Sequence, residues 1–121
     1  MAVTPQYTEY LRELFEPIGA VEVKRMFGGA GVFFHGVMIA LCADEQIYLK
    51  SDAESDPQFE EAGAEPFVFE GKNGKRGVMS YRLMPDECYD DPDAFKDWAR
   101  IAIDAAFRED AKKPPSKRKR K

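Results

Sequence analysis

Apolar positions recur at two different spacings along this chain, and the change from one to the other separates helical ends from a strand-rich middle. After Thr4-Pro5, Tyr7, Leu11, Leu14 and Phe15 fall on one helical face, and Pro17 to Gly19 ends the run. After Asp91-Pro92, Phe95, Trp98, Ala102, Ala105 and Ala106 form a second apolar face that runs towards Arg108. A shorter helix is expected after Asp56-Pro57, through Phe59 to Gly63. Each of these starts places a capping oxygen before a proline suited to the first helical position. Trp98, heading the last apolar face, is expected to be buried against the sheet.

Between the helices the pattern predicts strands at Val21 to Met26, Ala30 to Phe34, Val37 to Ala43, Gln46 to Lys50, Pro66 to Glu70 and Gly77 to Leu83. Their connections are corner-like: Gly28-Gly29, His35-Gly36, Asp44-Glu45 and a loop containing Asn73-Gly74. Strands joined this tightly are antiparallel, because a parallel return needs a crossover. The expected fold is α+β, an antiparallel sheet of about five or six strands flanked by an N-terminal and a C-terminal helix. Two strands break the alternation of a half-wet sheet: Ala30 to Phe34 and Val37 to Ala43 are apolar at both parities. Helices covering both faces of a small sheet would account for this. Stacked on one face, they would leave the other to meet a second chain, and the pattern leans towards a homodimer.

The glycines in KRMFGGAGVFFHGVMIAL invite a phosphate-loop reading, which the residues reject. A dinucleotide fingerprint needs a small residue at position 34, where Phe34 stands, and a helix after it. A P-loop needs Lys and then Ser or Thr after its second glycine, where Val37 and Met38 stand. The glycines turn corners.

With its neighbours the same stretch carries a resemblance. Arg25-Met26-Phe27-Gly28-Gly29, Gly31, His35-Gly36-Val37-Met38 and Ile47-Tyr48-Leu49-Lys50 are followed by Gly63, Pro66-Phe67, Met79-Ser80-Tyr81, Pro85 and Trp98-Ala99. This ordered series, from about Tyr7 to Phe107, resembles the TfoX N-terminal domain family, the amino-terminal module of the Sxy/TfoX regulators of bacterial competence. Ala30 departs from it, standing where family members often carry a larger residue. The chain also ends where full-length regulators continue into a second helical domain. The resemblance implies a non-enzymatic regulatory or adaptor module, linked to transcription and competence through contacts with another protein.

Composition and charge sharpen this picture. The 121 residues suffice for one domain with its own core, expected over 1–111. No apolar run is long enough to span a bilayer and the N-terminus lacks a leader pattern, so a cytoplasmic protein without membrane contact is expected. The net charge of −4 hides two regions. KKPPSKRKRK, residues 112–121, holds seven of the 18 basic residues and leaves 11 against 22 acids, a body of −11. This basic tail cannot form a core and is expected to be disordered. Three uses are open to it: a solvated terminus, a contact with the acidic body, or weak, salt-sensitive nucleic-acid contact through Lys117, Arg118, Lys119, Arg120 and Lys121.

Candidate chemistry is sparse. Cys42 and Cys88 have no metal-ligand spacing, and the single histidine, His35, lies in a turn. The charges of Asp86 and Glu87 should keep Cys88 a thiol. The acids from Asp86 to Asp93 read as helix caps, and no metal or cofactor is expected. Arg25, Lys50 and Tyr81 stand out, each interrupting or ending an apolar strand. Arg25 shares the parity of Val21 and Val23, so its head must reach the rim or an acid. The candidate binding set is Arg25, Phe27, Gly28, Gly29, Lys50 and Tyr81, and the alternative function is a small-molecule or anion site around Arg25, Lys50 and Tyr81.

Overall fold

The computed structural model describes residues 5–26, 29–43, 46–70 and 76–112. Helix α1 (Pro5–Phe15) runs into a 3-10 turn (Glu16–Ile18), followed by β1 (Glu22–Met26), β2 (Gly29–Phe34), β3 (Val37–Ala43) and β4 (Gln46–Lys50). Then come α2 (Asp56–Glu61), β5 (Pro66–Glu70), β6 (Arg76–Leu83), α3 (Glu87–Asp90) and α4 (Pro92–Ala111). The strands form one antiparallel sheet in the order β1-β2-β3-β4-β6-β5. The expected α+β architecture holds. What the spacing did not reveal is the link through α2, which carries the chain past β4 so that β6, not β5, pairs with it.

The β2–β3 corner shows why the glycines are there. His35 (φ 51°) and Gly36 (φ 82°) both take the left-handed conformation that a two-residue hairpin turn requires. Gly29 serves close approach instead: a Cβ there would collide with the backbone carbonyl of Cys42 on β3. Phe27, Gly28 and Asn73-Gly74 lie outside the described residues.

Residues opposite one another across the strands share a face, which sorts the sheet. Val23, Val32, Ala40 and Leu49 form one row, and Ala30, Cys42 and Ile47 continue the same face. Most of these pack with Leu11 and Phe15 of α1, Phe59 of α2, and Phe95, Ala99, Ala102 and Ala106 of α4 in one core. A register shift between β2 and β3 leaves Ile39 unpaired, so Ile39 and Ala40, adjacent in sequence, are both fully buried. That bulge is half of the reason why β3 is apolar at both parities. The other half lies on the opposite face, where Phe33, Met38, Leu41, Tyr48 and Leu83 are half-buried and stand outside the core.

Two local expectations need correction. Asp56 is the first residue of α2, not its cap; Ser55 takes that position, because Asp52 organises the preceding turn. Asp91 does cap α4, its Oδ1 accepting from the Asp93 and Ala94 amides. Trp98 is only partly buried and lies on Phe59 of α2, with ring centroids 4.9 Å apart, rather than against the sheet. Phe95, one turn earlier, fills the core position and meets Phe15 edge-on at 4.9 Å.

Phe95→Ala is expected to cost about 3–5 kcal/mol in urea denaturation, with Trp98→Ala costing clearly less. Equal losses would contradict the division between core and rim. Gly29→Ala should cost about 1–3 kcal/mol, since β2 and β3 must separate to admit the methyl group. An unchanged urea midpoint would show that the strands yield there freely.

Candidate functional site

The predicted site residues do not come together as one site. Lys50 ends β4 directly opposite Tyr81 on β6, and both are nearly inaccessible, at 5% and 6% exposure. Lys50 Nζ lies 2.9 Å from Glu109 Oε2 of α4 and 5.0 Å from the centre of the Tyr81 ring. Burial pushes the Tyr81 phenol well above its ordinary pKa, and the Glu109 charge adds to the shift. The ammonium therefore already has a carboxylate and an aromatic face, and Glu109 keeps half of its side-chain surface in solvent. Arg25 is exposed on β1, with β2 and β3 between it and β4, and no ion pair engages it among the described residues. Gly29 is a packing position. Phe27, Gly28, Lys117, Arg118, Lys119, Arg120 and Lys121 lie outside the described residues.

The thiols are placed where they react poorly. Burial pushes Cys42 up to about 12. Cys88 also rises to about 12, first through burial and then through the charges of Glu87 and Asp91. The expected acid effect is thus present but secondary, and Asp91 rather than Asp86 joins Glu87 in it. His35 is exposed at its turn.

A polar network that the spacing did not reveal joins the β4–α2 link to α4. Asp52 accepts from Arg108 Nε at 2.8 Å and Nη2 at 3.0 Å, and from the Ser55 amide at 3.0 Å and hydroxyl at 2.9 Å. These bonds hold the Asp52 carboxyl well below the usual carboxylate range, the Arg108 contact contributing most. Arg108 also meets Glu54 at 2.6 Å. On the other side of α2, Arg82 of β6 reaches Asp56 at 3.3 Å and Glu60 at 3.1 Å. The signal in the sequence was the run SDAESD, rich in turn-forming oxygens. Its cationic partner lies 56 residues away, beyond the reach of any local spacing rule.

Two surfaces of the described residues stand out. The first is the sheet face opposite the core, where Lys24 Nζ lies 4.9 Å from the centre of the Phe33 ring and Tyr48 packs edge-on to Phe67 at 4.9 Å. The second is a groove of about 480 Å³ between α2 and α4, with Pro57 and Glu61 facing Asp97, Trp98 and Ile101. It adjoins a smaller polar hollow of about 190 Å³ bounded by Glu54, Asp104 and Arg108, and the two share Gln58 and Ile101. The Trp98 indole N–H donates to Glu87 Oε2 at 2.9 Å.

Residues 13–106 match the family model of the TfoX N-terminal domain. DNA transformation protein TfoX1 of Aliivibrio fischeri (strain ATCC 700601 / ES114) is 38% identical over 50 residues, 41% of this chain. The matched stretch spans 24% of that protein's length, about a quarter. Among the described residues, no helix is long and apolar enough to cross a membrane.

The Asp52–Arg108 contact gives a pH-dependent expectation. A carboxyl whose pKa is depressed by folding stabilises the protein above the unfolded value of about 3.9, and the contribution fades as pH falls towards the folded value. Asp52→Asn should therefore cost about 2 kcal/mol near neutral pH. The gap to the wild type should narrow steadily below about pH 4. Urea denaturation across that range measures it, and a gap independent of pH would assign the loss to the turn alone.

Proposed function

The chain belongs to the TfoX N-terminal domain family, and we propose that it is a non-enzymatic regulatory module that works by binding another protein through the open face of its sheet. The observation that carries this reading is the row of half-buried apolar side chains, Phe33, Met38, Leu41, Tyr48 and Leu83, on the face that the core does not use. Leaving such a surface against water is unfavourable by roughly 25 cal/mol per Å² of apolar area, which a bound partner would recover. Lys24 and Gln46 at its border can supply a polar rim.

The printed role of the Aliivibrio relative is DNA transformation, and we place this module in the regulation of competence, inside the cell and through transcription. Against a nucleophilic enzyme stand the two buried thiols with raised pKa values and a histidine held in an exposed turn. The anion-site alternative is disfavoured by the pairing of Lys50 with Glu109 and by the distance in the sheet between Arg25 and Lys50. A second copy of the chain is a partner of the same chemistry, and sedimentation of the wild type separates that case from a different protein.

Leu41→Glu and Tyr48→Glu, made singly in the native host, should lower transformation frequency about tenfold or more, because a buried unpaired carboxylate disrupts an apolar interface. Both variants should melt close to the wild type, since neither side chain belongs to the core. Normal transformation with normal protein levels in both strains would remove the face from the function. Arg25→Ala should leave transformation unchanged, and a selective loss there would favour the anion-site reading instead.

A further inference from the structure

We propose that the groove between α2 and α4 is a docking site for a cationic segment, and that its occupant is the chain's own basic stretch, residues 113–121. The groove and the adjoining hollow share Gln58 and Ile101, so one trough runs along α4 from Arg108 to Trp98. Exposed carboxylates line it on both sides: Glu54 and Glu61 from the α2 side, Asp97 and Asp104 from α4. Arg108, the cation within it, is already engaged by Asp52 and Glu54.

The floor at one end is the partly exposed ring of Trp98. An indole between two carboxylates suits a lysine or arginine side chain, whose head is attracted to the ring face while the acids neutralise it. A neutral ligand would leave those carboxylates facing one another, and an anionic one would be repelled. Phe59 fixes the indole from beneath and Glu87 holds its N–H, so the ring is positioned before anything binds.

The occupant follows from charge and length. Residues 113–121 carry six of the chain's Lys and Arg and no acid, against a body of net negative charge. Trp98 lies about 20 Å back along α4 from Ala111, at about 1.5 Å per residue. An extended stretch from Lys113 spans about 20 Å by Lys119, so Lys119 to Lys121 come within reach of Trp98. Pro114-Pro115 prevents the helix from continuing past its end and favours an extended spacer at that point. The Arg108 end of the trough lies one turn from Ala111, where the segment departs. Docking and phosphate binding would use the same cations, so they exclude each other.

Trp98 is the single tryptophan of the chain and therefore reports on its own groove. Acrylamide quenching of the full chain at low salt should rise about twofold on adding about 1 M NaCl, which screens the contact. Replacing Lys117, Arg118, Lys119, Arg120 and Lys121 with Gln should produce the same rise at low salt, without touching the core. Glu61→Gln combined with Asp97→Asn should match it, and joining both sets of changes should add nothing further, as expected for partners in one contact. Equal low-salt quenching of the wild type and the Gln-tail variant would overturn the proposal. So would shielding that grows with protein concentration, which would place the segment on a second copy. A Gln-tail variant that loses duplex DNA binding while Trp98 quenching stays the same would assign these cations to phosphate instead.

Discussion

Small side chains along α4 govern how this molecule is assembled. Ala99, Ala102 and Ala106 face β3 and β4 without bulk, which lets the helix lie close on the sheet while Phe95 reaches Phe15 of α1. Larger residues at those positions would lift α4 and open space under it that the rest of the core cannot fill. With α4 seated there, α1 and α2 pack beside it and join the same core. The helical residues of the core pack on one face of the sheet. Side chains of the opposite face are left half-buried, and that is the surface proposed above for a partner.

Polar ties then fix the helical layer at its edges. Lys50 joins β4 to Glu109, Arg108 joins α4 to the turn before α2, and Arg82 joins β6 to α2 itself. Most partners retain solvent contact, so their value lies more in orientation than in stability. The Asp52–Arg108 contact is the stiffest of them because two parallel N–H donors meet one carboxylate. Held on both sides in this way, α2 is spaced from α4, and the groove floored by Trp98 lies in that space. The thiols of this arrangement are sealed in the core or beside acids.

Local physics made most of the elements legible. Proline near the first helical position marked the helix starts, although among the described residues only Asp91 of the expected caps is seen to cap its helix. Six apolar runs between glycine or acidic corners marked the strands within a residue or two. The His35-Gly36 turn needs positive φ at both positions, and the rejection of a phosphate loop rested on required side chains that are missing. The family resemblance was likewise carried by short motifs that need no tertiary context. Each of these depends on residues at most a few positions apart, and a sequence displays such relations directly.

Tertiary structure decided everything that depends on distant residues meeting. Arg25, Lys50 and Tyr81 looked alike as charged or polar interruptions of apolar strands. Sheet order then put Lys50 and Tyr81 side by side under Glu109 and left Arg25 exposed three strands away. The bulge at Ile39 and the open opposite face together explain an apolar pattern that strand parity alone could not sort. Trp98 and Phe95 share one apolar helical face, yet the position of α2 turned one into a groove wall and buried the other. Asp52 found its partner in Arg108 only when the last helix crossed the sheet. The sequence by itself determined which segments form helix or strand and where the chain turns, because those are near-neighbour preferences. Which charges are paired, which face is covered and where a groove opens were settled by packing, which acts on residues that the chain keeps far apart.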